Sequence, residues 1–132
     1  MILVDTSVLI DFFRDKSNKK SEKFRHVLSM GIPFGINFFV YQELLQGVDG
    51  ENDYQELKKY LDTQRFYHLK KGRDSFSEAA ETYQKCRRKG FTVSSTVDCL
   101  IVQTAIENDL FLLHHDSDFD HIAKIITSLK IY

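Results

Sequence analysis

Two short apolar runs, Met1-Ile2-Leu3-Val4 and Leu110-Phe111-Leu112-Leu113, constrain the fold of this chain more than any other feature. Neither alternates polar with apolar residues, so each reads as a strand covered on both faces rather than one edged by water. Strands of that kind belong to parallel sheets, whose neighbouring strands must be joined by crossovers, usually helices. In such sheets ligands gather just beyond the carboxyl ends of the strands. Both runs lead there into acids: Asp5 follows the first at once, and His114-His115-Asp116 closes the second. Asp5 is therefore either a helix N-cap or the first group of a site.

The rest of the chain supplies the helices. Phe38–Gln46 is helix-like and stops at Gly47. Tyr54–Leu61 carries Leu57 and Leu61 on one face. A long helix begins at Ser75, where Ser75 and Glu78 have capping-box spacing, and it closes at Gly90 after the basic turn Arg87-Arg88-Lys89. Ser94-Ser95-Thr96 opens another over Val97–Glu107, with Val97, Ile101 and Ala105 on one stripe. Residues 34–37 and 66–69 read as two further strands, and Ile125-Ile126 or Leu129-Lys130-Ile131 as a last one. Residues 14–23 form the most polar run, a loop or exposed helix end, and Phe119–Ala123 is a helical turn. The alternation predicts an α/β fold with a mainly parallel sheet. One proline, no repeat and no low-complexity stretch predict a single domain over residues 1–132.

No apolar stretch approaches the roughly 18 residues of a membrane span, and the N-terminus lacks the basic start of a signal peptide, so a cytoplasmic protein is expected. Cys86 and Cys99 fit neither a metal spacing nor a redox motif and are expected to be buried free thiols. The net charge of −1 hides an asymmetry. All Lys and Arg except Lys124 and Lys130 fall between Arg14 and Lys89, whereas Asp98, Glu107, Asp109, Asp116, Asp118 and Asp120 crowd the last third. Such a chain can fold a basic surface around an acidic pocket, or simply solvate its helix faces.

Four acids stand on separate elements, each beside an apolar stretch: Asp5, Glu43, Asp98 and Asp116. Brought together without partners they would repel one another and take up protons. Mg²⁺ or Mn²⁺ relieves this, because both prefer hard oxygen ligands. Two such ions can clamp the attacking and leaving oxygens of a phosphodiester. Each acid also has a plain alternative as a helix cap, turn residue or surface charge.

Taken as a set, VDTSVLID, Glu43 in QELLQG, VDCLIVQTAIEND and LLHHDSDFDHIA resemble the PIN-domain nucleases, in particular the small VapC-type toxins of toxin–antitoxin pairs. The likeness runs from Ile2 to about Ile126. It implies a three-layer α/β/α sandwich, an acidic pocket for Mg²⁺ or Mn²⁺, and metal-dependent RNA cleavage. Carried over by position, Asp5 and Asp98 are the central metal ligands, Glu43 and Asp116 complete the catalytic quartet that holds the metals, and Asp118 is a further acid beside them. The hydroxyl of Thr6 or Ser7 would orient Asp5 or a metal water. Two positions depart from the pattern. Asn37 stands where a hydroxyl residue commonly precedes the glutamate, and His114 replaces the usual Thr or Ser; it would bond Asp116, bias the metal, or only pack.

The resemblance also implies an RNA substrate, a cognate antitoxin that covers the pocket with an Arg-bearing segment, and a homodimer. Phosphate contacts are expected from Arg14, Lys70, Lys71, Arg73, Arg87 and Arg88. Phe12, Phe13 and Phe91 are expected in the core, while Phe38, Phe39 and Tyr41 offer a face for a partner. A phosphatase of the haloacid dehalogenase type would need a second Asp where Ser7 stands. A catalytically idle module that binds RNA or protein is the alternative from another class.

Overall fold

The computed structural model describes residues 1–132. β1 (Ile2–Val4) leads into α1 (Thr6–Phe13) and α2 (Lys19–Ser29), then β2 (Phe34–Gly35), α3 (Phe38–Gln46) and α4 (Glu51–Leu61). Two helices, α5 (Arg73–Arg88) and α6 (Thr96–Glu107), precede β3 (Phe111–Leu113), α7 (Ser117–Ile125) and β4 (Lys130–Ile131). The four strands form one wholly parallel sheet in the order β2-β1-β3-β4. Successive residues of a strand face opposite sides. Ile2, Leu3 and Val4 are all buried, so helices cover both faces and the architecture is a three-layer α/β/α sandwich.

β1 pairs with β3 through Ile2–Phe111, Leu3–Leu112 and Val4–Leu113, and the Asp5 N–H continues the ladder to the Leu113 carbonyl at 2.9 Å. After β1 the chain turns to one neighbour, β2, and later returns to the other, β3. The carboxyl ends of β1 and β3 thus flank the point where the winding reverses, the usual place for a crevice.

Several elements differ from the sequence reading. Residues 66–69 are not a strand: only Phe66 pairs, in an isolated bridge to Ile36. Gly35 shows how closely that segment runs, because a Cβ there would lie 2.6 Å from the Arg65 carbonyl oxygen and 2.7 Å from the Tyr67 ring. The polar run at 14–23 feeds a full helix, α2, whose N-cap Asn18 accepts from the N–H groups of Lys20 and Ser21 while the Ser21 hydroxyl receives the Asn18 N–H. Phe24 of α2 meets Phe12 and Phe34 edge-on at 4.9 and 5.2 Å, so three aromatics lock α1, α2 and β2.

α5 starts at Arg73, two residues before the expected cap, with Gly72 as an N-cap that has no side chain to offer. Ser75 and Glu78 do not form a capping box. The Ser75 hydroxyl accepts the Lys71 N–H and donates to Glu107, while Glu78 takes Lys71 Nζ and Gln103 Nε2. α6 is buried from Cys99 to Ala105 without a break, polar Gln103 and Thr104 included, so burial runs right round the helix and is not confined to one apolar stripe. The turn at 119–123 extends into α7, and the last strand is Lys130–Ile131. Phe12 packs on the core as expected, whereas Phe13 is 40% exposed.

Gly35→Ala is expected to destabilise the protein by about 1–3 kcal/mol, because the added methyl meets a backbone oxygen that cannot swing aside. Chemical denaturation checks it, and an unchanged midpoint would show that the 65–67 segment yields freely.

Candidate active site

Asp5 caps α1, its Oδ2 accepting the Ser7 N–H at 3.0 Å and the Ser7 hydroxyl. The same Ser7 Oγ accepts the His115 N–H at 2.9 Å, so one hydroxyl ties the end of β1 to the end of β3. Burial pushes the Asp5 carboxyl above its ordinary pKa, against the Ser7 and Thr6 hydrogen bonds that favour the anion. Asp5 is thus a cap and a buried charge together.

Thr6 turns the other way. Its hydroxyl donates to Glu43 Oε1 at 3.1 Å, joining α1 to α3. Glu43 is also raised in pKa, first by burial and then by the charge of Asp5. Asn37 fixes where α3 begins: its Oδ1 receives the Val40 N–H at 2.9 Å, and its Nδ2 donates to Thr104 Oγ1 of α6 at 3.2 Å. The amide therefore replaces a hydroxyl with a cap plus a strut to the helix that carries Asp98.

Asp98 lies in the first turn of α6, behind the N-cap Ser95. Its carboxyl is raised to about 7, by burial first and then by the charges of Asp5, Asp116, Asp118 and Glu43. No hydrogen-bond donor and no basic side chain appears among the groups that set its charge. All five acids expected from the sequence thus converge on one region, with Asp98 feeling the other four.

Asp116 caps α7 by accepting the Asp118 N–H at 3.0 Å, while Asp118 Oδ2 receives the Ser94 N–H and hydroxyl. Asp118 therefore moors the loop leading into α6. His114 is 1% exposed; its Nδ1 accepts the Asp116 N–H at 3.1 Å, leaving the other ring nitrogen to donate to Asp120 at 3.1 Å. Burial lowers its pKa, so the neutral ring orients the Asp116 turn. One partner escaped the sequence reading. His115 Nδ1 lies 3.0 Å from Asp11 Oδ2, which also receives the Asn18 amide. No short-range motif links residues 104 apart.

The basic residues divide. Arg14 stands with Glu43 in a groove of about 580 Å³ between α1, α3 and α4, and Arg87 lies against Thr96 and Cys99 beside the start of α6. Arg88 occupies the same last turn of α5, bonded to Gln84. Lys70, Lys71 and Arg73 lie elsewhere. The Lys70 N–H and the Ser75 hydroxyl both bond Glu107, and Lys71 Nζ pairs with Glu78, which places that loop at the far end of α6 from Asp98. Phe38 is 60% exposed, against Phe66 and His68.

The donor set suits a divalent cation of the Mg²⁺ class: hard carboxylate oxygens, Asp5 buried and the other four half-buried, with no Lys or Arg side chain paired to any of them. No three of these side chains close tightly enough to encase an ion. Mg²⁺ keeps several of its own waters and needs only one or two carboxylates, so an open set is compatible with it.

The profile of the PIN domain family matches residues 2–125. The chain belongs to the PIN-domain family. It is 32% identical over 126 residues to VapC ribonuclease Mb1587 of Mycobacterium bovis and, equally, to ribonuclease VapC11 of Mycobacterium tuberculosis, covering 95% of this chain and 93% of each relative. Its fold matches that of VapBC2 from Rickettsia felis bound to a promoter DNA fragment, with a TM-score of 0.73 at 16% identity, covering all of this chain and 98% of that one. It also matches FitAcB from Neisseria gonorrhoeae, with a TM-score of 0.74 at 16% identity, covering 100% and 96%. The α/β/α fold expected of this PIN-domain chain is the one observed.

The raised pKa of Asp98 has a consequence for the metal-free protein. Unfolded, the group ionises near 3.8; folded, at about 7. Between those values the folded state holds a proton that the unfolded state has released, so rising pH favours unfolding. The part of the stability that Asp98 controls should fall from about pH 4 to pH 7 and level off above that, and Asp98→Asn should remove that part of the slope. Thermal midpoints across pH in EDTA test this; superimposable profiles for the two proteins would count against it.

Proposed function

We propose that this PIN-domain chain is a Mg²⁺- or Mn²⁺-dependent endoribonuclease, the toxin of a toxin–antitoxin pair. One observation carries the reading: Asp98 on α6 feels the charges of Asp5, Glu43, Asp116 and Asp118 from three other elements, with no Lys or Arg paired to any of the five, at the switch point of a parallel sheet. The names of the mycobacterial relatives, both ribonucleases, support the reaction class.

In this reading Asp5 and Asp98 hold the metal, and Asp116 and Asp118 complete the acidic wall. A bound divalent ion supplies positive charge to the attacking and leaving oxygens of the phosphodiester and eases ionisation of water. Ser7 keeps the Asp5 carboxylate turned inward, and Thr6 does the same for Glu43. Glu43, with its raised pKa, is suited to take the proton of the attacking water as the new O–P bond forms and the bond to the ribose oxygen breaks, that oxygen taking a proton from solvent water. His114 and Asp120 fix the turn that aims Asp116.

The groove between α1, α3 and α4 gives the antitoxin a seat. Its apolar lining (Ile10, Phe13, Leu44, Val48, Leu57, Tyr60) runs up to Glu43, so a helix laid there reaches the pocket. A toxin–antitoxin complex from Klebsiella pneumoniae shares the fold, with a TM-score of 0.69 at 21% identity over 99% of this chain and 100% of that one, which supports such a partner. A homodimer remains part of the proposal.

Total RNA incubated with the purified, partner-free protein should yield discrete fragments in Mg²⁺ or Mn²⁺ and none in EDTA. Thr6→Val is expected to slow cleavage by up to roughly 100-fold, the low end of what a positioned base contributes, because Glu43 loses the hydroxyl that orients it. Asp98→Asn should cost more. An intact pool in every lane, from folded protein, would return the chain to the class of idle binding modules.

A further inference from the structure

We infer that Lys16, Lys19 and Lys20, around the start of α2, hold the RNA strand by its phosphates where it passes out of the acidic pocket, an inference that rests on the ribonuclease reading above.

The two histidines between β3 and Asp116 both lead to the start of α2. His115 Nδ1 lies 3.0 Å from Asp11 of α1, and the same Asp11 oxygen receives the amide of Asn18, the α2 N-cap, at 2.9 Å. The His114 ring spans from the Asp116 N–H to the Asp120 carboxylate, at 3.1 Å on each side. Lys20 stands close enough to Asp120 to feel its charge. The lysines are therefore fastened beside the Asp116 wall of the pocket, on the flank of α1 that carries Ser7 and Asp11 and away from the groove at Glu43.

Their base is fixed. The Lys16 N–H donates to the Asp11 carbonyl at 2.9 Å, the Asn18–Ser21 capping box closes the start of α2, and the buried Ser21 hydroxyl donates to the Lys16 carbonyl at 2.7 Å. Lys16 and Lys19 are exposed and Lys20 is half-buried.

Charge decides the occupant. Lys16, Lys19 and Lys20 pair with no carboxylate. The acids around them are already engaged: Asp15 and Glu22 by Arg25, Asp11 by His115 and Asn18, and Asp120 by His114. α4, α5 and α7 place acids in their first turns, where the helix dipole favours them. α2 instead opens with Lys19 and Lys20, and its one first-turn acid, Glu22, is bound to Arg25. A local rule broken in this way is expected at functional positions. The run Lys16-Ser17-Asn18-Lys19-Lys20 holds no apolar residue, so it lacks the buried anchors on which a protein partner depends. Unpaired cations without such anchors suit a phosphodiester backbone, which is met by charge and not by base identity.

A salt titration tests this. A fluorescein-labelled, random-sequence single-stranded RNA of about 12 nucleotides is bound in EDTA to Asp98→Asn protein between about 50 and 200 mM KCl. Lys16→Gln/Lys19→Gln/Lys20→Gln is compared with Lys70→Gln/Lys71→Gln/Arg73→Gln, which removes the same charge at the far end of α6. At about 0.7 of slope per phosphate, the first triple should take about 2 off the slope of log K against log salt. Across that fourfold range the unsubstituted surface then loses roughly 15–20-fold more affinity than the triple variant. The second triple should leave the slope in place. Thermal midpoints of the first triple should hold or rise, because Lys19 and Lys20 oppose the α2 dipole. Lys16→Gln alone, outside the helix, should remove about 0.7 of slope. An unchanged slope in the first triple, or an equal loss in both, overturns the surface while the ribonuclease reading stands. A lost slope in a chain that never cuts RNA in Mg²⁺ keeps the surface and removes the ribonuclease reading. Intact RNA binding with lost binding of a polyglutamate peptide gives the lysines to an acidic protein partner and overturns the inference.

Discussion

The parallel pairing of β1 with β3 is the constraint on which the remaining structure depends. Three residue pairs, all but Phe111 buried, set Val4 beside Leu113 and so bring two strand ends to the same edge. Helices must then cover both faces, which leaves the carboxyl edge as the one place where polar side chains can gather next to the core. Asp5 and the 114–116 turn are there because the ladder stops there. Ser7 completes the joint, bonding the Asp5 carboxylate and the His115 N–H with one oxygen. A slip of one residue between the two strands would turn every side chain to the other face and take that joint apart.

Capping and chemistry coincide in this edge. Asp5 and Asp116 are both N-caps, of α1 and α7, and Asp98 sits in the first turn of α6. Helix N-termini favour anions, which lowers the cost of burying carboxylates near one another. For Asp5, Asp98 and Asp116 the plain reading as helix-start residues holds, and it does not conflict with the metal-binding role proposed for them. Asparagine caps a helix about as well as aspartate, so Asp→Asn changes remove charge and leave the helix starts in place.

Much of this was legible in the sequence because the signals are local. Uniformly apolar runs gave the buried strands, Gly47 and Ser95 marked helix ends, and the acids fell on separate elements. The failures have physical causes. Residues 66–69 look like a strand, yet the sheet edge beyond β2 offers them a single bridge. Ser75 and Glu78 have capping-box spacing, but tertiary partners, Glu107, Gln103 and Lys71, take both side chains. The antiparallel packing of α5 on α6, which carries Lys70, Lys71 and Arg73 to the end of the helix away from Asp98, has no local signal either. The His115–Asp11 contact spans most of the chain, and only the fold brings it about.

The distribution of charge follows from the same geometry. A permanent Lys or Arg among the acids would lower the carboxyl pKa values and stabilise the resting protein, but it would occupy the space a phosphate must enter. Here the cations stand back, Arg14 in the groove beside Glu43 and Arg87 beside the start of α6. The acids are left short of counter-charge, and Asp98 shows it by holding its proton to about 7. The buried length of α6, from Cys99 to Ala105, offsets that strain and keeps the helix start fixed under repulsion. A site arranged this way is electrostatically incomplete by construction. Its deficit is of the kind that the proposed divalent ion would fill and a neutral ligand would not.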